Sequence, residues 1–437
     1  MISRDWRGAC LGSGPRAVNE VARRFPADRF RLNRFFIVSG YRRKLSYICG
    51  ERGEGIELAM AGGFTWVLGA WWTLAVLVNL ASVALGLLPQ RRRFAADLCP
   101  PISVMVPVKD ADPAIAANME ALISQDYLTF EIIFAAADPD DPAIPLLERV
   151  MADRPDVPTR LTTDPARASI NPKLDNLRRA WRWARHELVL ICDVNARFRP
   201  DELRRLAGQL APGIGLLTAV PVATEPRGFC GELETAFFNS GGARWLIAAD
   251  RLGQGVGVGQ TMLLRRADLE RVGGIDAMTA GICEDAALAA AIRRAGLAVQ
   301  MARDPGWHPV GRRRFRDLWQ RHLRWQCCRK YHAFPLFVFE PAISPLGMAT
   351  AGGLWWGPLI GLSVVPLIVA HLTAWYAIEA IYVRVQRWHL SWLSPVSWLV
   401  RDALIPALWL RATIARSLMW RGQRMALPPM LALHRKK

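Results

Sequence analysis

Carboxylates stand just beyond three apolar runs of the chain, each of which has the length and composition of a β-strand. These acidic residues are Asp112, Asp138 and Asp193. One acidic strand end is usually a solvated turn or a helix cap, whereas three in one sheet favour a ligand site. Asp193 follows the apolar run LVLIC, and Asn195 lies two residues later. This spacing suits a hard divalent cation held against a diphosphate, with helix capping by Asp193 as the alternative.

A second acidic motif, Glu284-Asp285, precedes the helical sequence AALAAAIRRAG. Carboxylates at a helix start are stabilised by the helix dipole, so a purely structural role is one interpretation. The other is general-base catalysis, in which a carboxylate removes the proton of an acceptor hydroxyl. The preceding segment GVGVGQTMLLRR is typical of a strand, and Gly257 and Gly259 predict a close backbone approach there.

A basic segment covers residues 312–330, with eight Lys or Arg among 19 residues. Its apolar and aromatic side chains recur at helical spacing, which indicates an amphipathic helix at a membrane surface. Within it, Arg321 and Arg324 lie one helical turn apart, and Trp325 follows. The two cations can neutralise a leaving diphosphate, and the indole can stack on a ring. Membrane anchoring alone would also explain the composition, but it does not require this spacing.

The elements that must position these residues alternate between apolar runs and helical patterns over residues 100–335. Candidate strands are residues 102–108, 131–135, 188–192, 215–220 and 257–264. This alternation predicts an α/β fold with a mostly parallel sheet covered by helices. Ligands of such sheets bind beyond the carboxyl ends of the strands, where the three carboxylates stand. Neither GxGxxG after the first strand nor GxxxxGK followed by Ser or Thr is present, so the common nucleotide fingerprints are absent.

Long uncharged segments flank this domain. Residues 58–90 contain no charged side chain and end at Arg91-Arg92-Arg93. This pattern predicts one transmembrane helix, with the following chain on the cytoplasmic side. Residues 341–378 are also uncharged and are long enough for two helices, with a turn or kink expected within residues 361–366.

A third apolar stretch, residues 392–410, carries Arg401 and Asp402 in its middle. An ion pair is costly in lipid, so this stretch either crosses the membrane or lies partly at its surface. Residues 1–59 hold 12 Lys or Arg without an apolar signal-peptide core. We expect Met60 to be the natural start and residues 1–59 to be over-translated or disordered. A basic tail that contacts anionic lipid is the alternative.

The composition narrows the class of protein. Hydrophobic residues make up 52% of the 437 residues, which excludes a disordered or fibrous chain. The net charge of +18 suits an anionic membrane surface or phosphorylated ligands, and we expect no nucleic-acid partner. The eight cysteines are scattered, without CxxC pairs or His partners at metal spacing, which argues against a disulfide scaffold and a structural zinc site.

The order of these motifs resembles that of inverting, family-2-like membrane glycosyltransferases. The local sequences are closer still to the ceramide glucosyltransferases of glycosyltransferase family 21, in a bacterial, alphaproteobacteria-like branch. The similar blocks are PVKDADP, EIIFAAADPDDPAI, NPKLDNL, PRGF with ELETAFFN, and WLVRDALIPALW with WRGQR. They span residues 64–425. One departure is Thr218, where eukaryotic members carry a histidine in the context GLVHGLPY.

The resemblance implies a GT-A fold, a UDP-sugar donor, a divalent cation (Mg²⁺ or Mn²⁺) and a lipid acceptor met at the cytoplasmic face. On the donor side it assigns Asp112 and Asp138 to the uridine and ribose. It places Lys173 near the donor. It assigns the metal and the diphosphate to Asp193, with Asn195 at the second metal position.

For catalysis the resemblance implies that Asp285 is the base, with Glu284 beside it. Arg321, Arg324 and Trp325 would clamp the diphosphate and roof the site. The expected reaction is inverting transfer of a hexose, with glucose as the first candidate, from the UDP-sugar to the primary hydroxyl of ceramide. The product is a β-glycosylceramide.

The expected protein is a multi-pass integral membrane protein, in the inner membrane if bacterial. Its segments are a tail 1–59, a transmembrane helix 60–90, a cytoplasmic catalytic domain 98–335 that ends in the interfacial helix 312–330, two transmembrane helices 341–383, a third membrane or interfacial segment 389–425, and a basic tail 426–437. One alternative is a hopanoid glycosyltransferase that uses UDP-N-acetylglucosamine. Another is a non-catalytic module that binds anionic lipid. A processive polysaccharide synthase would need more crossing helices.

Overall fold

The structure is a computed structural model, and it describes residues 63, 65–90, 99–110, 114–166, 169, 171–279, 283–420 and 423–427. Some expected features lie outside these residues: the tail 1–59 with Met60, the cluster Arg91-Arg92-Arg93, Asp112 and most of the tail 426–437. The other site residues expected from the sequence fall within the described chain.

The strands of the described chain form one large sheet and two small ones. In chain order they are β1 Ile102–Val108, β2 Phe130–Ala136, β3 Thr159–Thr163, β4 Leu188–Cys192, β5 Ile214–Thr218, β6 Pro221–Arg227, β7 Thr261–Arg265, β8 Ala298–Met301, β9 Gly306–Arg312, β10 Ser417–Trp420 and β11 Gln423–Ala426. The large sheet has the order β3-β2-β1-β4-β7-β5-β8. Its strands pair in parallel except β7, which is antiparallel to β4 and β5. The predicted α/β class with a mostly parallel sheet is confirmed.

Helices cover both faces of the large sheet and continue beyond it. In chain order they are α1 Thr65–Leu87, α2 Ile115–Ile123, α3 Ile144–Ala152, α4 Pro172–Trp181, α5 Glu202–Ala207, α6 Gly228–Ala236, α7 Arg244–Arg251, α8 Arg266–Arg271, α9 Glu284–Arg294, α10 Phe315–His332, α11 Phe334–Ile343, α12 Pro345–Ile360, α13 Val364–Val385 and α14 Ser394–Ile414. A π-helical turn, Phe237–Ala243, joins α6 to α7.

The apolar runs of the sequence become the centre of the domain. Every residue of β1, β2 and β4 is buried, as expected for central parallel strands that are covered on both faces. Two hydrophobic clusters lie on the two faces of the sheet and contain alternate residues of these strands. This burial fixes the strand register, and therefore fixes where the polar residues that follow each strand emerge.

Two helices of the described chain, α1 and α13, are long and apolar enough to cross a membrane. The pair α11 and α12 passes the same test together but is bent by 53°, so the count is three if this pair is one span. The turn expected within residues 361–366 is confirmed, because Gly361 ends α12 in the left-handed conformation at φ 69°. Glycine accommodates this conformation without the steric cost that a side chain would bring.

The ion pair in the third apolar stretch is buried inside the protein. Arg401 lies on α14, and its guanidinium contacts Glu379 of α13 at 3.1 Å and Asp402 at 2.7 Å. All three side chains are almost completely buried. A charge in an apolar helix is expensive unless it is paired, and here the partners come from the neighbouring helix and the next residue.

The segment expected as a strand over residues 257–264 is shorter in the structure, where β7 begins at Thr261. Residues 257–260 instead run against the start of α9. A Cβ at Gly257 would collide with the Asp285 carbonyl, and a Cβ at Gly259 would lie 3.0 Å from Lys173 Nζ. The close backbone approach expected at these two glycines is confirmed.

Candidate active site

A cavity of about 970 Å³ opens beyond the carboxyl ends of β1 and β4. Eight of the site residues expected from the sequence line it: Lys173, Asp193, Asn195, Glu284, Asp285, Arg321, Arg324 and Trp325. The carboxyl ends of parallel strands meet at one edge of a sheet. The topology therefore brings together side chains that lie far apart in the sequence.

Lys173 lies at the centre of the polar part of this cavity, at the start of α4. Asn171 caps that helix, because its side-chain oxygen accepts a hydrogen bond from the Lys173 backbone N–H at 3.0 Å. The buried Nζ of Lys173 contacts Asp193 at 2.7 Å and Glu284 at 2.8 Å, and it donates to the Gly259 carbonyl at 3.1 Å. Burial disfavours the ammonium, but the two carboxylates outweigh it and raise the Lys173 pKa above its ordinary value.

Glu284 and Asp285 begin α9 but occupy different environments. Glu284 accepts a hydrogen bond from Asn171 at 3.0 Å, and although burial opposes its ionisation, the charge of Lys173 outweighs this and lowers the Glu284 pKa. Asp285 Oδ2 accepts from the Gly259 N–H at 2.9 Å. Burial and then the negative charge of Glu284 raise the Asp285 pKa to about 6. Asp285 is thus mostly ionised at neutral pH and is still able to accept a proton, as a general base must be.

Asp193 and Asn195 line the cavity directly after β4. Asp193 Oδ1 contacts the Lys173 ammonium. Asn195 Oδ1 is buried, and within the described chain it has no hydrogen-bond partner. An orphaned amide oxygen two residues from a carboxylate fits a hard cation, which would take further oxygen ligands from a diphosphate and water. The residues present therefore fit the expected divalent cation.

Arg321 is held by a carboxylate that the sequence analysis missed. Arg321 Nη1 donates to Glu234 Oε1 at 2.6 Å, and His308 Nε2 lies 3.5 Å from the same nitrogen. Glu234 is completely buried. Burial opposes its ionisation, but the charge of Arg321 and then His322 outweigh burial and lower the Glu234 pKa. Gln260 Nε2 lies 3.0 Å from His308 Nδ1, which extends this buried polar chain towards β7.

The missed residues had little signal in the sequence. Glu234 is inside the ELETAFFN block, but its position there does not distinguish it from Glu232. His308 is a single histidine in a short strand, and Gln260 precedes β7 without a motif of its own. Their role emerges only from the contacts that they make with Arg321 and with one another.

An aromatic cluster forms one wall of the cavity. Trp325 packs against Phe238 and His322, with ring centroids 5.0 Å and 5.1 Å apart. Phe238 also stacks on His308 at 4.7 Å, and it belongs to the π-helical turn Phe237–Ala243. Such turns are local insertions that often occur at functional sites. Here the π-helical turn supplies the ring that packs between Trp325 and His308.

Arg324 completes the basic side of the site. It lies on α10 one turn after Arg321, and both line the cavity. Its charge also contributes to the lowered pKa of Glu284, after burial and the contacts of Lys173. The helix predicted at residues 312–330 is present as α10, and its Arg321 and Arg324 line the cavity. Its placement at a membrane surface stays a prediction.

Asp138 does not line the cavity. It is exposed in the turn after β2, where its Oδ1 accepts a hydrogen bond from the Asp140 backbone N–H at 2.9 Å. Asp141 of the same turn is buried and accepts from the Asp110 backbone N–H at 3.0 Å, close to the end of β1. The assignment of Asp138 to donor binding stays a prediction, as does that of Asp112.

Away from the sheet, the cavity lining includes a set of apolar side chains beside several charged ones. The apolar side chains come from α11, α14 and the hairpin β10–β11: Leu336, Ile343, Ile405, Leu418 and Met425. An apolar extension beside a small group of polar residues is the usual character of a site for a partly apolar ligand. The same cavity thus contacts both the carboxylates of the sheet edge and the helices that flank the domain.

Comparison with known proteins gives a consistent picture. The family model described as Glycosyl transferase family 21 matches residues 66–430. The chain is 25% identical over 336 residues to ceramide glucosyltransferase 1 of Caenorhabditis elegans, covering 75% of this chain and 72% of that protein. It is 23% identical over 332 residues to ceramide glucosyltransferase 3 of the same organism, covering 74% and 72%.

Among solved structures, the chain is similar to a mannosyltransferase from Pyrobaculum calidifontis in complex with GDP-Man and Mn²⁺. The identity is 19%, the alignment covers 80% of this chain and 98% of that chain, and the TM-score is 0.48.

The family match runs from the first apolar helix to the C-terminal end of the described chain, so it includes the sheet, the cavity and the flanking helices. The expected fold class, a GT-A type α/β domain with added apolar helices, is confirmed. The chain belongs to glycosyl transferase family 21.

Proposed function

We propose that this protein is a membrane-bound, inverting hexosyltransferase that moves a hexose from a UDP-sugar to the primary hydroxyl of ceramide or a similar lipid. Glucose is the first candidate for the sugar, and the product is a β-glycosylceramide. The names of the curated relatives support the lipid acceptor. The cavity supports it independently.

The continuity of this cavity carries the proposal. Asp285 and Lys173 lie in the same cavity as Leu336 and Ile343, which belong to the apolar helix α11. An acceptor with a polar head and a hydrocarbon tail would place its hydroxyl beside a carboxylate while its chain contacts apolar side chains. Holding an insoluble acceptor in this orientation supplies much of the catalytic advantage, because it replaces a search through water.

Asp285 is the proposed general base. Its carboxylate accepts the proton of the lipid hydroxyl as the hydroxyl oxygen bonds to the anomeric carbon of the sugar. The bond between that carbon and the diphosphate oxygen breaks in the same displacement, and its electron pair leaves with UDP. One displacement inverts the anomeric configuration, so an α-linked donor gives a β-glycoside.

The donor side of the site is assigned to basic and oxygen-bearing residues. Arg321 and Arg324 offset the negative charge that develops on the departing diphosphate, and Trp325 stacks on a ring of the donor or product. Asp193 and Asn195 would hold the divalent cation, Mg²⁺ or Mn²⁺. When bound, that cation supplies positive charge beside the diphosphate.

We infer a multi-pass membrane protein with a cytoplasmic catalytic domain. The proposed segments are those expected from the sequence: 60–90, 98–335, 341–383 and 389–425, with basic tails at 1–59 and 426–437. The apolar helices α1 and α13 support this arrangement. The pairing of Arg401 with Glu379 also supports it, because neither charge then needs to face lipid.

The decisive experiment is a transfer assay on membranes that contain the full chain. Ceramide is offered with UDP-glucose, UDP-galactose, UDP-glucuronate or UDP-N-acetylglucosamine, each with and without EDTA. We expect metal-dependent glycosylceramide, and loss of about 10³-fold in kcat for Asp285→Asn, within the usual range for removal of a general base. The matched control is Asp156→Asn, an exposed carboxylate outside the cavity, which should keep full activity.

Two results would redirect the proposal. Transfer from UDP-N-acetylglucosamine to a hopanoid polyol, with none to ceramide, would move the protein to the hopanoid glycosyltransferases. Binding to anionic vesicles that is equal for the parent and Asp285→Asn, with no transfer by either, would support the non-catalytic module and contradict an enzymatic function.

A further inference from the structure

Two cysteines at the cavity are covalently joined. Cys283 and Cys328 are 45 residues apart in the sequence and form a disulfide, with their Cα atoms 6.1 Å apart. Both line the cavity. The scattered cysteine spacing did not indicate this pair. The free cysteines of the described chain are Cys99, Cys192, Cys230 and Cys327.

The bond joins the two elements that carry the proposed catalytic groups. Cys283 occupies the N-cap position of α9, immediately before Glu284. Cys328 lies on α10, four residues after Arg324 and therefore about one helical turn further along. A covalent link thus runs between the segment of the base and the helix of the two arginines.

We propose that Cys283 and Cys328 form a reversible thiol–disulfide modification site, at which oxidation by a low-molecular-weight disulfide lowers the turnover of the enzyme. The proposal rests on the proposed function for its activity and its cytoplasmic placement. The redox state of the cysteine pair can be measured whether or not the proposed activity and the cytoplasmic placement are correct.

The chemistry is two successive thiol–disulfide exchanges. The thiolate of one cysteine attacks a sulfur of the oxidant, the S–S bond of the oxidant breaks, and one of its halves leaves as a thiolate. The second cysteine thiolate then attacks the protein sulfur of the mixed disulfide and displaces the other half. The cysteine pair loses two electrons and two protons, and the oxidant gains them as two thiols.

The proposed cytoplasmic location of the domain favours a disulfide that forms reversibly. Disulfides in a cytoplasmic domain are typically transient or redox-sensing, because glutathione and thioredoxin keep most thiols reduced. Both cysteines line the cavity, so a small reagent that enters it comes into contact with both residues. Cys327, the neighbour of Cys328, is instead buried among Leu323, Phe337 and Leu408 on another face of α10.

The expected decrease in turnover on oxidation follows from the position of the disulfide. The disulfide lies between two walls of the proposed active site: α10, whose Arg324 is assigned to the diphosphate, and the start of α9, whose Asp285 is assigned to the base. Product release, which often needs the walls of an active site to move apart, frequently limits kcat. A bond between Cys283 and Cys328 restrains that movement, so the oxidised enzyme turns over more slowly.

The test uses the full chain in lipid nanodiscs, equilibrated in glutathione buffers from fully reduced to fully oxidised. Free thiols are alkylated, and the cross-linked peptide is quantified by mass spectrometry. We expect a reversible cross-link between Cys283 and Cys328, with a decrease in kcat of about threefold or more as it forms. Cys328→Ser and Cys283→Ser should keep the reduced-state activity and lose the response. Cys230→Ser, which replaces a free cysteine on α6, should respond like the parent.

Several outcomes would overturn the proposal. They are the absence of the cross-link at every glutathione ratio, an unchanged or higher kcat when it forms, and a Cys328→Ser variant that still responds to the oxidant. If no donor gives glycosyl transfer, the proposed function fails separately. In that case, amide hydrogen exchange tests whether the disulfide restrains the start of α9. Slower exchange there in the oxidised than in the reduced chain supports the restraint, and equal exchange contradicts it.

Discussion

Two groups of buried charge line the same cavity, and they differ in how completely the protein itself satisfies them. In the helical group, Arg401 contacts both Glu379 and Asp402, and each of their four carboxylate oxygens accepts a hydrogen bond from a protein side chain, so this group is matched inside the protein. At the sheet edge, Lys173 is shared between two carboxylates. Asp285, next to them, receives hydrogen bonds from backbone N–H groups.

The difference indicates which group is structural and which is available to a ligand. Within the described chain, the sheet edge contains a buried amide oxygen without a partner, on Asn195. Such an oxygen is costly in the free protein, and the cost is removed when it binds a cation. The helical group instead joins α13 to α14.

The largest effect is expected from breaking the matched group. Arg401→Met leaves Glu379 and Asp402 buried without their cation, which should lower the free energy of unfolding by about 3–5 kcal/mol. Thermal unfolding of the detergent-solubilised protein measures this loss. Arg411→Met, at an exposed position on the same helix, is the control and should be nearly neutral. An Arg401→Met protein as stable as the parent would remove the structural role of this group.

The second-largest effect is expected from removing the charge of Glu234, which holds Arg321 in place. Glu234→Gln removes the charge that holds the guanidinium, so we expect kcat to fall about a hundredfold while the KM for the lipid acceptor is unchanged. Glu234→Asp should restore part of the lost kcat. Glu270→Gln, at an exposed site on α8, is the matched control. A Glu234→Gln variant that changes only thermal stability would show a purely structural role.

A smaller effect is expected at the orphaned oxygen. Asn195→Ala removes a proposed ligand of the cation, so the Mn²⁺ concentration that gives half-maximal activity should rise about tenfold. Asn195→Asp adds a carboxylate and should lower that concentration. Titration of each variant with Mn²⁺ in the transfer assay measures both changes. Identical metal dependence in all three proteins would remove Asn195 from the cation site.

The smallest effect is the pH dependence of the free enzyme. Lowering the pH protonates Asp285, whose pKa is raised to about 6, and a protonated carboxyl cannot act as the base. Hence kcat/KM should be about half of its plateau at pH 6 and should fall about tenfold per unit below that. Donor binding measured separately over the same range provides the control. A profile that rises towards acid pH would contradict the assignment of the base.

Much of the framework follows from local sequence. The run LVLIC is buried as β4 over the predicted residues, because a short run of consecutive apolar residues is typical of a strand that is covered on both faces. The polar residue that follows such a strand must emerge at its carboxyl end, which places Asp193 in the cavity. The same reasoning also selected Asp138, which lies in an exposed turn.

The sequence by itself determined the α/β class, the apolar helices and eight of the residues that line the cavity, because these depend on periodicity and on the order of strands along the chain. Tertiary structure decided how the residues are paired. Glu234 meets Arg321 across 87 residues, and Lys173 meets Glu284 from a different helix. The environments of Glu284 and Asp285, which are adjacent in the sequence, also differ only through such contacts. Charge pairing in a buried site depends on distances of a few ångströms between distant segments, and no local pattern encodes those distances.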